Sequence, residues 1–418
     1  MSRLLSLNSY HYRRGGSDAV YFDHAKLFED IGWDNAFFSM NHPKNVESEW
    51  SEYFVDELEF SHEYSATQKL KMASKAVYSF EAQRKLKKVI DKFRPSVAHA
   101  HCIYHHLSPS VMPVLSKAGV PIVMTAHDLK LACPAYKMMN STGVCERCKS
   151  GNFTNLLKYK CVHNSLAVSG LVMVEAYFNG ILKSYRKNLN KIITPSEFFK
   201  TKLIEWGWPA ELITYVPNFI HYDSYQPDYK PGSYFLFFGR LAAEKGADTL
   251  IRASALSGRK VIFAGTGPEE DNLKDLAVSL NANVEFKGFC SGDVLHDLVR
   301  GCRSVILASQ WYENAPISIL EAYAFGKTVI GANIGGIPEM IVDGESGFLF
   351  ESGDKEQLAD QMLKVGDMSD QVLTDMGTYA RNYVESTYSK TQYLDKVLDV
   401  YEGLGVNISS SINSSAGQ

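Results

Sequence analysis

Residues 311–330, WYENAPISILEAYAFGKTVI, read as a strand end, a polar loop and a helix, and the following KTVIGAN reads as the next strand. Pro316 can open the helix, because proline at the first helical position loses no hydrogen bond. Glu313 then lies in the loop, and Glu321 about a turn and a half into the helix. The free amides near Ile317 and Ser318 face the same crevice, and a helix start of that kind attracts phosphate. Two carboxylates placed this way can grip hydroxyls on either side of a bound pyrophosphate, which is what a nucleotide-sugar site requires.

Upstream, residues 234–250, YFLFFGRLAAEKGADTL, give an apolar strand ending at Gly239, then Arg240, then Lys245 and Gly246 before another helix. A cation at a strand end and another in the next turn can converge on one diphosphate, arginine by its bidentate fork and lysine as a point charge. The same alternation runs outward through KVIFAGTG, VEFKGF and SVILAS. In the first half LLSLNSY reads as a strand, RRGG as a loop and SDAVYFDHAKLFEDIGW as a helix capped by Ser17. SVAHAH and PIVMTAHD follow as strands with an apolar helix-like segment between them. Alternating strands and helices predict an α/β fold of parallel sheets covered on both faces.

A chain of 418 residues is too long for one ordinary core and suits two domains. The stretch VPNFIHYDSYQPDYKPGSY is rich in Pro, Tyr and Asp without periodicity, and reads as the linker. The first domain is therefore placed at 1–215, the linker at 216–232 and the second domain at 233–385, with a disordered tail at 409–418. Hydrophobic residues make up 45% and charged residues 22%, the balance of a soluble globular protein. A net charge of -4 gives no reason to expect a nucleic-acid partner. Arg3 is followed by an apolar run too short for a secretory signal, so a cytoplasmic protein is expected.

In order, Gly239-Arg240, Glu244-Lys245-Gly246, Gly265-Thr266-Gly267-Pro268, the spaced Glu313 and Glu321, and Gly335-Gly336-Ile337-Pro338-Glu339 resemble the donor half of the family 4 retaining glycosyltransferases of GT-B fold. The resemblance is strong over residues 232–352 and looser over the first half. It implies two Rossmann-like doubly wound domains facing each other across a crevice, with a C-terminal helix at 386–408 crossing back to the first. It implies a hexosyltransferase-type enzyme that moves a sugar from a UDP- or GDP-sugar to a saccharide or lipid-linked saccharide acceptor in surface polysaccharide synthesis. By resemblance Glu321 holds the nucleotide ribose and Glu313 hydroxyls of the transferred sugar. Gly16, Gly239, Gly267, Ala315, Pro316 and Ile317 complete the donor site. Arg240 and Lys245 neutralise the leaving diphosphate in place of a divalent metal, so catalysis needs no cofactor. Retention through a covalent intermediate requires a carboxylate beside the anomeric carbon. The family offers none, and the resemblance implies front-face displacement. The alternatives are another GT-B enzyme, such as a nucleotide-sugar epimerase or a pyridoxal-dependent phosphorylase, and a non-catalytic sugar-nucleotide-binding subunit.

On the acceptor side, Gly15 and Gly16 let backbone amides approach the donor closely, since no side chain intervenes. His127 and Asp128 follow PIVMTA and so sit at a strand's carboxyl end. A histidine there can donate to a sugar hydroxyl or to charge that develops as the bond breaks, and Asp128 can orient it or the acceptor. By resemblance His127 is the family's active-site histidine. His99, His101, His105 and His106 read as structural, or as lining of the acceptor pocket.

Residues 66–95 carry nine Lys or Arg against two acids, with apolar residues at helical spacing. Such a face can bind an anionic membrane and would place the enzyme peripherally on the inner leaflet. LAVSGLVMVEAYFNGIL, interrupted by Glu175 and Asn179, is shorter than the ~20 residues of a span and reads as a buried or interfacial helix. Finally, Cys133, Cys145, Cys148 and Cys161 crowd one loop, with Cys145 and Cys148 in a Cys-x2-Cys knuckle. In a cytosolic protein that set suits a structural tetrahedral zinc, with His163 as a spare ligand.

Overall fold

The computed structural model describes residues 2–57 and 66–408. In chain order the first half forms β1 (Arg3–Leu7), β2 (Asp34–Phe38), β3 (Val97–Ala100), β4 (Ile122–Thr125), a hairpin of β5 (Met139–Asn140) and β6 (Gly143–Val144), then β7 (Lys191–Thr194) and β8 (Ile213–Tyr215). The second half forms β9 (Phe235–Phe238), β10 (Val261–Ala264), β11 (Val284–Phe286), β12 (Ser304–Leu307), β13 (Thr328–Ala332) and β14 (Gly347–Phe350). One sheet has the order β2-β1-β3-β4-β7-β8 and the other β11-β10-β9-β12-β13-β14. Every pair in both is parallel. The protein is thus two doubly wound α/β domains, as expected. The strand order reverses at β1/β3 in one sheet and at β9/β12 in the other, the places where such sheets bind ligands.

The central strands VAHA, IVMT, VIFA and SVIL are buried at every position, because helices cover both faces. In the two six-stranded sheets, four strands, β2, β7, β8 and β14, had no clear signal in the sequence. Each is three to five residues long, and DNAFF begins with two polar residues.

Several local expectations are corrected. The first helix runs Gly16–Asp30 and is entered through Gly15, without a side-chain cap, so Ser17 lies inside it. Pro316 is the residue before the Ile317–Ala324 helix, not its first residue. The basic stretch is two helices, Ala66–Val77 and Phe80–Phe93, broken where Ser79 turns to cap the second. Part of its charge is paired: Lys75 and Lys85 lie 2.6 and 3.0 Å from Glu81. Among the described residues no helix is long and apolar enough to cross a membrane. The tail at 409–418 lies outside the described residues.

The Lys390–Glu402 helix lies against the first domain. Tyr393, Val397, Val400 and Tyr401 share a core with Leu4, Phe28, Val97, Val123 and Ile193. Two buried hydroxyls fix the contact. Tyr393 meets Nδ1 of His24 at 2.9 Å, and Tyr401 meets Nε2 of His24 at 3.0 Å and Nδ1 of His99 at 2.6 Å. Where the chain crosses between domains, the amide of Ile220 donates to the carbonyl of Tyr388 at 3.1 Å.

Tyr401→Phe leaves two buried imidazole nitrogens without that partner, a loss of about 2 kcal/mol. Chemical denaturation followed by fluorescence is expected to show a lower midpoint for the first domain, and an unchanged midpoint would refute the role given to this hydroxyl.

Candidate active site

A cavity of about 650 Å³ lies between the carboxyl ends of the two sheets. The first domain contributes Arg14, Gly15 and Gly16 after β1, Cys102 after β3, and His127 and Asp128 after β4. The second contributes Gly239, Arg240 and Lys245 after β9, and Trp311, Glu313, Asn314, Ala315 and Pro316 after β12. Ile317, Ser318 and Glu321 of the Ile317–Ala324 helix close the wall. The structure therefore brings together every donor-side residue read from the sequence except Gly267.

Gly267 is not among the residues that line the cavity, and its position has a structural reason for glycine. A Cβ there would lie 2.0 Å from the carbonyl oxygen of Leu241. Gly335 and Gly336 do similar work behind the site. A Cβ on Gly335, whose φ is +63°, would meet the Glu313 carbonyl at 2.4 Å, and one on Gly336 the Asn314 carbonyl at 1.9 Å. These glycines let the 333–336 turn support the loop that presents Glu313. Glu339, of the same motif, accepts from the amides of Glu197 and Phe198 across the domain gap. It caps a first-domain helix rather than binding a ligand.

Two helix starts without side-chain caps, at Gly16 and Ile317, face each other across the crevice. Their unbonded amides and dipoles favour an anion between them. Arg240 is exposed at the rim and forms no ion pair among the described residues. Lys245 differs: its ammonium lies 2.6 Å from Oε1 of Glu313, to which the Ser309 hydroxyl also donates at 2.7 Å. The lysine and the glutamate assigned to separate parts of a donor are thus paired with each other.

His127 is held by a neighbour that sequence reading set aside. Its Nε2 lies 2.8 Å from Nδ1 of His101, so one ring donates to the other, and the rings stack at 5.1 Å. His101 in turn stacks on His99 at 4.8 Å. Burial lowers the pKa of His127 to about 4, so the ring is neutral at physiological pH and keeps one N–H to offer. His101 is accordingly a partner of the site and not merely structural. The alternation HAH on one strand was the available signal, because it puts His99 and His101 on the same face. Asp128 is pushed up to about 6 by burial, against the opposing pull of the Tyr104 hydroxyl at 2.7 Å and the Lys130 amide at 2.9 Å. His105 lies 3.4 Å from Glu175, and His106 bonds the hydroxyl of Tyr10.

Other wall residues carried no role in the sequence reading. Arg14 lies 3.2 Å over the Tyr10 ring and bonds Asp18 at 3.0 Å, which fixes it beside Gly15. Asn314 ties the domains together, donating to the Ala126 carbonyl at 2.9 Å and accepting from Ser196 at 2.8 Å. Lys137 crosses the same gap to Glu244 at 2.7 Å.

The four loop cysteines are free thiols, and burial raises the pKa of Cys133, pushes that of Cys148 up to about 12 and that of Cys161 to about 11. Among the described residues no three His, Cys, Asp or Glu side chains are grouped as a metal ion would need.

Comparison with known proteins gives two family matches, Glycosyltransferase Family 4 over residues 14–224 and Glycosyl transferases group 1 over residues 226–383. The first spans just over half of the chain. An uncharacterized glycosyltransferase of Methanocaldococcus jannaschii is 33% identical over 164 residues, 38% of this chain. The chain spans only 40% of the length of that relative. Sucrose-phosphate synthase from Thermosynechococcus elongatus superposes with a TM-score of 0.69 at 17% identity, over 97% of this chain and 99% of that one. Anabaena HepE, solved in complex with UDP and glucose, superposes with a TM-score of 0.68 at 18% identity, over 96% of this chain and 100% of that one. At such identities the likeness is one of fold.

Burial raises the pKa of Glu321 to about 7 from an ordinary 4.5, although the Tyr225 hydroxyl works the other way. The folded state therefore keeps a proton that the unfolded chain releases, and stability falls as pH rises from 4.5 to 7, the full penalty standing above 7. Glu321→Gln removes the charge, and its melting temperature is expected to exceed the parent's at pH 8 by the equivalent of a few kcal/mol at most, with the gap closing towards pH 5. Equal melting curves at pH 8 would show that this carboxylate is not strained by burial.

Proposed function

The chain belongs to glycosyltransferase family 4, and we propose that it moves a sugar from a UDP- or GDP-sugar to a saccharide or lipid-linked saccharide acceptor, with retention. The observation that carries this reading is the convergence of two uncapped helix starts, Arg240, Lys245 and two glutamates on one crevice. Helix amides and two cations suit a diphosphate. Glu321, four residues into the Ile317–Ala324 helix, suits the ribose hydroxyls, and Glu313 the hydroxyls of the sugar. Neutral His127 faces the bond that breaks.

The acceptor hydroxyl oxygen attacks the anomeric carbon on the face from which the diphosphate leaves. The carbon–oxygen bond to phosphate breaks, and the departing phosphate oxygen takes the acceptor's proton. The enzyme acts by holding the two partners together and by neutralising the leaving charge. With two cations and two helix starts on the diphosphate, no divalent metal is needed. Surface polysaccharide synthesis is the setting we infer from the resemblance described above.

Product analysis with and without saccharide acceptor tests the reading, since an epimerase changes the donor alone and a binding subunit changes nothing. Arg240→Ala and Lys245→Ala are each expected to lower turnover by roughly 10²-fold or more, the scale of losing one stabiliser of developing charge, while transfer by the parent survives EDTA. Unchanged turnover in both variants would remove the phosphate clamp.

We also propose one structural zinc on Cys133, Cys145, Cys148 and Cys161. What supports it is four cysteines in one loop, two of them in a Cys-x2-Cys knuckle, which a metal would have to draw together and order. Elemental analysis of protein purified without chelator is expected to find about one zinc per chain, lost in Cys145→Ser. Metal-free, folded and active protein with four titratable loop thiols would end the proposal.

A further inference from the structure

The Leu166–Leu182 helix is turned inside out. Its buried side carries Ser169, Val172, Glu175 and Asn179, and Glu175 is locked to Lys130 at 2.9 Å. The opposite arc holds Val174, Tyr177, Phe178 and Ile181, spaced by three and four so that they share one face. Ile181 is 78% exposed and Val174 54%. Single exposed apolar residues are ordinary, but a continuous apolar arc on a helix marks a contact surface. The patch extends past the helix, since the Tyr78 ring meets that of Phe178 at 5.8 Å and the nearby Phe80 is 75% exposed.

Charge says what covers it. Residues 151–190 contain Lys158, Lys160, Lys183, Arg186 and Lys187 against one acid, Glu175, which is buried and paired. The four lysines are exposed, at both ends of the helix and on the turn packed beside it. An apolar arc flanked by lysines settles into the boundary of an anionic bilayer, with the long lysine stems reaching back to the headgroups. The basic helices at 66–93 adjoin this patch through Tyr78 and Phe80, with Lys75 and Lys85 engaged by Glu81.

We propose that the arc formed by Val174, Tyr177, Phe178 and Ile181 is a docking surface for an anionic phospholipid bilayer. The surface stands on the helix itself. Only its use, holding the crevice near a lipid-linked acceptor, rests on the transfer reading.

The test is flotation of the full chain with phosphatidylglycerol–phosphatidylcholine vesicles and with phosphatidylcholine alone. The parent is expected to float with the anionic vesicles, and about tenfold less with the neutral ones. Phe178→Asp combined with Ile181→Asp should lower flotation by about tenfold or more, while the thermal shift produced by UDP matches the parent's. Ile181→Ser serves if the double variant does not fold. Failure of the parent to float with anionic vesicles, or flotation of the variants at the parent's level, would overturn the proposal. So would sedimentation showing a dimer of the parent that Ile181→Ser dissolves, because a second copy would then be the occupant. If the parent floats but shows no thermal shift with UDP or GDP, the transfer reading fails and the docking surface stands.

Discussion

Parallel strand pairing is the constraint from which the crevice follows. A parallel strand cannot return through a hairpin, so the chain crosses a face of the sheet as a helix, and each crossover begins at a carboxyl end. Helix starts, with their unbonded amides, therefore gather on that side. Two such sheets with carboxyl ends opposed place the Gly16 and Ile317 helix starts across one gap. The gap is narrow at this point, since a Cβ on Gly16 would lie in ordinary contact with Cγ1 of Ile317 at 3.6 Å.

The charges in that gap are unevenly committed. Arg240 is free of ion pairs among the described residues, whereas Lys245 is held by Glu313 and Glu244 by Lys137. On the function proposed above, a diphosphate would meet Arg240 without breaking an ion pair but would compete with Glu313 for Lys245, which would link binding of phosphate and of sugar through one hydrogen bond.

The parts of this arrangement that were legible in the sequence are those that local rules fix. Strands buried on both faces read as apolar runs, and Gly239-Arg240, Lys245, Glu313 and Glu321 could be placed from strand ends and helix starts. What was hidden depends on residues distant in sequence. Gly267 reads as a ligand glycine from its motif, and nothing local in the sequence shows that a Cβ there would strike the Leu241 backbone. His101 looked structural because its partner, His127, lies on the neighbouring strand's loop. The helix at 166–182 gave no sign of which side would face inward, because Glu175 turns to a buried partner, Lys130, that is distant in sequence. Ser17 and Pro316 were misplaced by one or two positions, where glycine and an extended proline serve as entry residues without side-chain caps.

The hydrogen bond from Ile220 to Tyr388 has a mechanical consequence. The chain passes between the domains twice, once on the way out after β8 and once on the way back before Lys390. Two separate tethers would each permit their own swing. Bonded to one another, they define a single axle, and rotation about it is the motion that covalent geometry leaves soft. The crevice lies off that axle, and Asn314, Ser196 and the Lys137–Glu244 pair span it as latches. Opening like the halves of a hinged case is the motion that two adjoining crossings oppose least.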